Sequence, residues 1–316
     1  MGEDVEATVF SREDRQRYRD KVKRNLDVFA RMLQESFFDA ERRSVGLEIE
    51  LNLTDEAGDP ALRNALALEA IEDPAFQTEL AQFNVEINVP PALLEGGYFS
   101  ALEETVRTSL NQGEAKARTV GAHMVMIGIL PTVDEAHLDG SALSANPRYA
   151  LLNEQIFAAR GEDLHIVIDG IDRLETYADT IAPEAACTSV QLHLQVAPER
   201  FADHWNAAQA IAGPQVAVAA NSPFFFGREL WRETRIALFE QATDTRPDEL
   251  KAQGVRPRVW FGERWITSIF DLFEENVRFF PALLPVCEPE DPVEVLERGD
   301  TPELPELRLH NGTIYR

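Results

Sequence analysis

The stretch VGLEIELNL, residues 45–53, decides the fold because its apolar and polar residues alternate strictly. Alternate side chains of a β-strand point to opposite faces, so this period predicts a strand with two unlike faces. The polar face would hold Glu48 and Glu50 about 7 Å apart. The apolar positions are Val45, Leu47, Ile49, Leu51 and Leu53.

Three later segments repeat this alternation and are predicted to be further strands. They are FNVEINVP (83–90), TSVQLHLQV (188–196) and ELRLHNG (306–312). Their polar positions include Glu86, Asn88, Gln191, His193, Glu306 and Arg308.

Between these strands the sequence has helical periodicity. Ser11 and Asp14 form a capping-box pattern, and apolar residues then recur every three or four positions, which predicts an amphipathic helix over residues 11–40. Further helices are predicted at 65–71, 100–118, 146–161, 202–218 and 228–242, further strands at 123–131 and 164–171, and a surface connection at 287–306. No internal repeat or interdomain linker is visible, so residues 1–316 are expected to form a single domain.

The polar strand positions are unusual in composition, since they lack lysine and are dominated by Glu, Gln, Asn and His. For any one strand, an ordinary half-solvated sheet face explains such residues. However, like charges on neighbouring strands repel, so a sheet that gathers Glu48, Glu50 and Glu86 requires a compensating cation. Carboxylates with one imidazole suit Mg²⁺ or Mn²⁺ better than zinc.

A second group of interest is basic. Arg228, Arg232 and Arg235 are spaced to share one face of the helix predicted over 228–242. Neighbouring glutamates allow these arginines to form local salt bridges on a solvated helix. Alternatively, at least one arginine reaches a substrate carboxylate or phosphate, which its planar guanidinium matches.

The overall charge limits the partners. The chain has 316 residues and a formal net charge of −25, which argues against binding to nucleic acid or an anionic membrane. The two cysteines, the lack of a signal-peptide pattern and the lack of a long apolar segment predict a cytoplasmic protein. Oligomeric state cannot be inferred from these features.

Several enzyme motifs do not occur in the sequence. There is no GxxxxGK[ST] loop, no GxGxxG after a strand, no GxSxG elbow and no HExxH helix. These patterns would have indicated a Walker-type nucleotide site, a dinucleotide site, a serine hydrolase and a zinc protease.

Taken together, the segments GLEIEL, ELAQFNVEINVPP, TSVQLHLQV, ANSPFFFGRELWRETR and ELRLHNG resemble the glutamate–cysteine ligase family, in the branch that also holds other carboxylate–amine ligases. The resemblance implies a glutamine-synthetase-like fold. In that fold an antiparallel sheet holds the metals, ATP and substrates on its concave polar face, and helices pack on the other face.

The resemblance also implies a reaction and its residues. An ATP- and Mg²⁺-dependent ligase would join the γ-carboxylate of glutamate to an amine, with cysteine as the default acceptor, through a γ-glutamyl phosphate. The implied metal ligands are Glu48, Glu50, Glu86, His193 and Glu306. Gln191 would contact ATP, Arg308 the transferring phosphate, and Arg235, Asn88 and Asn311 the substrate.

Two features depart from the family pattern. Gln82 stands where some relatives have a further carboxylate, so the number of metals stays open. The chain also stops at Arg316, soon after the ELRLHNG segment, whereas relatives continue, and we expect it to be truncated at its C-terminus. A two-metal phosphoester hydrolase and a non-catalytic binding protein of the same fold are the alternative functions.

Overall fold

The computed structural model describes residues 10–35, 37–38 and 42–315, and it combines helices with antiparallel strands. The predicted α+β class is therefore confirmed. The strands are β1 (Ser44–Thr54), β2 (Phe76–Thr78), β3 (Asn84–Leu93), β4 (His123–Val125), β5 (Leu164–Asp169), β6 (Arg173–Ala178), β7 (Val190–Leu194), β8 (Phe224–Phe225) and β9 (Arg228–Glu229).

The helices lie mainly between and after these strands. They are α1 (Arg12–Gln34), α2 (Asn64–Ile71), α3 (Tyr98–Ala117), α4 (Pro147–Arg160), α5 (Ala182–Ala185), α6 (Pro198–Ala219), α7 (Thr234–Ala242), α8 (Asp248–Ala252), α9 (Ile269–Phe279), α10 (Pro292–Glu297) and α11 (Pro305–Asn311).

Strand β1 is the centre of the main sheet. It pairs antiparallel with β3 along one edge and with β4 and β7 along the other, while β2 pairs with β3. Leu47, Ile49, Leu51 and Leu53 are buried, and α2 and α3 cover them. The apolar face predicted for β1 is thus confirmed, and the opposite face is left for polar groups.

A second core lies beside this sheet. The β5–β6 hairpin packs with α4, α5 and α7, and its buried apolar residues include Leu164, Ile166 and Ile168. The strand predicted at 164–171 is confirmed as β5, although its partner β6 was not anticipated.

Helix α1 begins with the predicted capping box, in which the Ser11 side chain accepts from the Asp14 backbone and Asp14 accepts from the Ser11 backbone. The helix ends at Gln34, and residues 36 and 39–41 lie outside the described part of the chain. Its apolar side, with Tyr18 and Phe29 among its buried residues, packs on α9, α10 and α11.

The segment ELRLHNG is helical, so the prediction of a fourth strand there was wrong. Pro305 occupies the first turn of α11, where its fixed φ and missing N–H are tolerated. Glu306, Leu307 and His310 are buried at helical spacing. The surface connection predicted at 287–306 also contains a helix, α10.

Two other boundaries differ from the prediction. Helix α7 starts at Thr234, so Arg228 lies in β9 and Arg232 in a turn, and neither shares a helix face with Arg235. The strand predicted at 123–131 ends at Val125.

Strand β7 forms where predicted, but its apolar side chains Val190, Leu192 and Leu194 are exposed. They continue the apolar face of β1, since Leu192 lies opposite Leu47. Helices α2 and α3 pack on β2, β3 and β4 rather than on β7, so these side chains stay exposed among the residues that the structure describes. Within the described residues, none of the helices combines the length and apolar character needed to cross a membrane.

Candidate active site

The polar face of the main sheet brings two glutamates directly opposite each other. Glu50 on β1 is the register partner of Glu86 on β3. Glu86 is only 6% exposed, and Glu50 is partly buried. Like charges in this position destabilise a sheet, so the pair is costly unless a cation or proton compensates it.

Hydrogen bonds hold the Glu50 carboxylate in place. Their donors are Ser189, which directly precedes β7, and Gln191, which lies in β7. The Ser189 backbone N–H donates to Oε2 at 2.8 Å and the Ser189 hydroxyl donates to Oε1 at 3.0 Å. Gln191 donates to Oε1 at 3.4 Å. Burial raises the pKa of Glu50 to about 7, and the charge of Glu86 acts in the same direction.

A third carboxylate, Glu79, belongs to this group and was not anticipated from the sequence. Burial raises the pKa of Glu79, and the charges of Glu50 and Glu86 raise it further. Its Oε2 accepts a hydrogen bond from the Leu80 backbone N–H at 2.9 Å. No local pattern in the sequence marks Glu79, because its proximity to Glu50 and Glu86 arises only in the fold.

Gln82 itself faces a different part of the molecule. Its amide donates to the backbone carbonyls of Ser141 at 2.7 Å and Leu143 at 3.1 Å. Gln82 therefore fixes the loop that follows β4.

The remaining predicted residues of the polar sheet face lie beside the glutamate pair. His193 Nε2 is 3.3 Å from Glu48 Oε2, and Glu48 is the register partner of both Asn88 and Gln191. Asn88 donates a hydrogen bond to Glu86. The structure thus brings together Glu48, Glu50, Glu86, Asn88, Gln191 and His193.

Arg235 approaches the same site from α7. Its Nε donates to Glu233 Oε1 at 2.7 Å, and its Nη1 donates to the Thr188 carbonyl at 2.7 Å. The Arg235 charge acts on Glu50 and opposes the rise in the pKa of that carboxyl. The side chains of Asn221 and Arg235 pack close to Gly128, since a methyl group there would lie 2.5 Å from Oδ1 of Asn221 and 2.9 Å from Cδ of Arg235 and would force them to shift.

The buried carboxylate of Glu233 ties Arg235 to the loop that precedes β8. Glu233 Oε2 accepts from the Asn221 backbone N–H at 3.0 Å and from the Ser222 hydroxyl at 3.1 Å. Asn221 in turn accepts from the Gly128 N–H at 3.1 Å. Asn221 and Ser222, near the start of the segment ANSPFFFG, are therefore part of the support for Arg235.

Three predicted residues lie elsewhere, all on α11. The buried Glu306 carboxylate accepts from Lys21 at 2.9 Å and from Asn25 at 3.1 Å, both on α1. Arg308 is exposed and pairs with Glu303 at 3.0 Å, and Asn311 accepts from Asn276. The helical conformation of residues 305–311 explains why they do not extend the polar sheet face.

The oxygen donors at Glu50 and Glu86 have the chemistry that Mg²⁺ prefers. Among the residues that the structure describes, no three His, Cys, Asp or Glu side chains form a ready metal cage. Mg²⁺ ordinarily uses one or two carboxylates and completes its octahedron with water and substrate phosphates. The opposed pair on β1 and β3 therefore fits Mg²⁺ bound together with a phosphate ligand.

The fold and site together define a class of protein in which an antiparallel sheet gathers opposed carboxylates on its polar face. Residues 44–257 match the family described as glutamate-cysteine ligase family 2. This range covers more than half of the chain and includes β1, β3, β7 and Arg235. The chain therefore belongs to this family, and the family indicates a ligase-like enzyme. A search of curated proteins gives no significant match.

Proposed function

We propose that the protein is an ATP- and Mg²⁺-dependent ligase that joins the γ-carboxylate of glutamate to an amine. The observation that carries the proposal is the pair of Glu50 and Glu86, which lie directly opposite each other on β1 and β3, with Glu86 buried and Glu50 partly buried. In a chain of this ligase family, such a pair supports a cation that binds together with a phosphate ligand. We also propose that the sheet corresponds to the concave sheet of the glutamine-synthetase-like fold.

The proposed reaction has two chemical steps. A γ-carboxylate oxygen of glutamate bonds to the terminal phosphorus of ATP, and the bond from that phosphorus to the bridging oxygen breaks to release ADP. The amine nitrogen then bonds to the acyl carbon, phosphate leaves, and the nitrogen loses a proton. When bound, Mg²⁺ would neutralise the negative charge on the phosphate oxygens.

The side chains of this chain bind and orient the reactants. Glu50 and Glu86 would hold Mg²⁺, and Glu48 with His193 would complete the polar wall beside them. Gln191 lies next to Glu50, where it would contact the nucleotide. Arg235 would bind the glutamate α-carboxylate with the N–H donors that remain beside its contacts to Glu233, through Nε and Nη2, and to the Thr188 carbonyl, through Nη1.

Glu306, Arg308 and Asn311 lie outside this set, so we assign them no part in the reaction. They also fall outside the range that matches the family. Cysteine is the default acceptor by family, and the amine has to be identified by experiment.

An ADP-release assay tests the proposal. The protein is incubated with ATP, Mg²⁺, glutamate and a panel of amino acids and amines, and the amide product is identified by mass spectrometry. We expect ADP and product to require Mg²⁺ and glutamate together. Glu86→Gln should abolish both, whereas the exposed control Glu303→Gln should not. Phosphate release from phosphoesters without glutamate would instead indicate a hydrolase.

A further inference from the structure

Thr188 and Ser189 directly precede β7, and together they contact both halves of the candidate active site. The Thr188 carbonyl accepts a hydrogen bond from Arg235 Nη1 at 2.7 Å. The next residue, Ser189, donates to the Glu50 carboxylate from its backbone N–H at 2.8 Å and from its hydroxyl at 3.0 Å. Two consecutive residues therefore join the carboxylate proposed to hold Mg²⁺ to the guanidinium proposed to bind glutamate.

These two residues are themselves held from two sides. The Thr188 N–H donates to the Gly128 carbonyl at 3.0 Å, and Gly128 also packs closely against the Arg235 side chain. On the other side, the Glu50 N–H donates to the Ser189 carbonyl at 2.9 Å. The backbone of the two residues is thus fixed both to the main sheet and to the segment that borders Arg235.

Asn52 anchors the Thr188 side chain from the centre of the sheet. It lies two residues after Glu50 on the same face of β1, and it is completely buried. Its amide nitrogen donates to the Thr188 hydroxyl at 3.3 Å and to the Ile127 carbonyl at 3.1 Å. Its oxygen accepts from Asn84, its register partner on β3, at 3.2 Å. A buried polar network that is satisfied in this way is rigid.

Core packing alone does not require this network. An apolar side chain at a buried strand position needs no hydrogen bonds, whereas a buried amide has to be paired. Here the buried asparagine pair continues the row of the opposed glutamates, and its hydrogen bonds reach the residue that contacts Arg235. We propose that Thr188, Ser189 and Asn52 act as positioning residues. They hold the Glu50 carboxylate and the Arg235 guanidinium at the separation that the reaction needs, an inference that rests on the proposed ligase function.

Three variants separate the contacts. Ser189→Ala removes the hydroxyl that donates to Glu50 and keeps the backbone N–H contact. Thr188→Val removes the hydroxyl that bonds to Asn52 and keeps the shape of the side chain. Thr188→Ser keeps a hydroxyl at that position and therefore tests whether the hydroxyl is the group that matters.

Two exposed residues give matched controls. Ser141→Ala loses a hydroxyl that donates to the Asp139 carboxylate, and Thr105→Val loses a hydroxyl that donates to the Ala101 carbonyl at 2.9 Å. For every variant, electron paramagnetic resonance measures the Kd of Mn²⁺ in the presence of ATP. An ADP-release assay gives kcat and the KM of glutamate, and urea unfolding gives the stability.

We expect Ser189→Ala to raise the Kd of Mn²⁺ about tenfold, because a group that orients a metal ligand is lost. The KM of glutamate should stay close to the wild-type value, since Arg235 keeps its backbone acceptor. Thr188→Val should raise both the Kd and the KM by about threefold or more, because a shift of this residue misplaces both groups. Thr188→Ser should return both values close to those of the wild type, and the two controls should match it.

Two results would overturn the inference. In one, Ser189→Ala and Thr188→Val keep the Kd and KM of the wild type, whatever their stability, which would make the network structural only. In the other, Thr188→Ser behaves like Thr188→Val, which would exclude the hydroxyl. If Thr188→Val does not fold, Ser189→Ala decides alone, since Ser189 is only partly buried. The ligase proposal is judged separately, because it fails if wild-type protein releases no ADP even where Mn²⁺ binding depends on Ser189.

Discussion

Two sets of shielded glutamates in this protein differ in how their charge is compensated. On the polar sheet face, Glu50 and Glu86 oppose each other, and burial together with these two carboxylates raises the pKa of a third carboxyl, Glu79. On α11, Glu306 is more completely buried, yet it accepts hydrogen bonds from Lys21 and Asn25.

The difference separates a structural carboxylate from a functional one. Glu306 also accepts from the Glu288 backbone N–H at 2.9 Å, so its oxygens are satisfied by the protein itself. Glu50 is held by Ser189 and Gln191 but faces another carboxylate. Burial alone therefore does not mark a site, whereas burial without charge compensation does.

The largest effect on stability is expected at the compensated carboxylate. Glu306→Ala should lower the free energy of unfolding by about 3–5 kcal/mol, because Lys21 loses its carboxylate partner and Asn25 and the Glu288 N–H lose their acceptor. Urea unfolding followed by circular dichroism measures the change. The control is Glu303→Ala, which breaks an exposed pair with Arg308 and should change stability by less than about 0.5 kcal/mol.

At the carboxylates of the sheet face we expect a loss of activity without a loss of stability. Glu50→Gln should reduce ADP formation by about 100-fold or more, since a carboxylate that positions a metal is lost. The same change should leave stability without Mg²⁺ equal or higher, because repulsion from Glu86 is removed. Full activity of the variant, or its unfolding, would contradict the assignment.

The pH dependence of stability gives a further test. The folded pKa of Glu50 is about 7, above its unfolded value, so the folded state binds the extra proton. Without Mg²⁺, the free energy of unfolding should fall by about 2 kcal/mol more in the wild type than in Glu50→Gln between pH 5 and 8. Parallel pH profiles of the two proteins would show that Glu50 is not perturbed.

The smallest effect is expected at Arg308. It is exposed and pairs only with the exposed Glu303 among the described residues. Arg308→Ala should therefore change the unfolding free energy by less than about 0.5 kcal/mol and leave ADP formation within about twofold of wild type. A large loss of kcat would place Arg308 at the phosphate, as the family resemblance implies.

The sequence allowed the main sheet to be predicted where the alternation was long. Over residues 45–53 five apolar positions alternate with four others, and the buried positions Leu47, Ile49, Leu51 and Leu53 follow that pattern. The α1 capping box was equally local, so it could be inferred from Ser11 and Asp14.

Shorter patterns did not decide between helix and strand. In residues 306–310 two apolar residues fit either period, and packing of Leu307 and His310 against neighbouring helices selects the helix. Arg228 and Arg232 had helical spacing, but the hairpin of β8 and β9 interrupts it. Glu79 could not be placed, since its role depends on the fold that brings it near Glu50 and Glu86.

The most direct test of the cation site is to measure the binding of Mn²⁺ in the presence of ATP by electron paramagnetic resonance. Mn²⁺ replaces Mg²⁺ at oxygen ligands and its free and bound forms have different spectra. We predict that the wild type and Glu303→Gln bind Mn²⁺ equally, and that the double variant Glu50→Gln/Glu86→Gln binds it about tenfold or more weakly. Equal binding by the double variant and the wild type would contradict the assignment of the opposed carboxylates as the cation site.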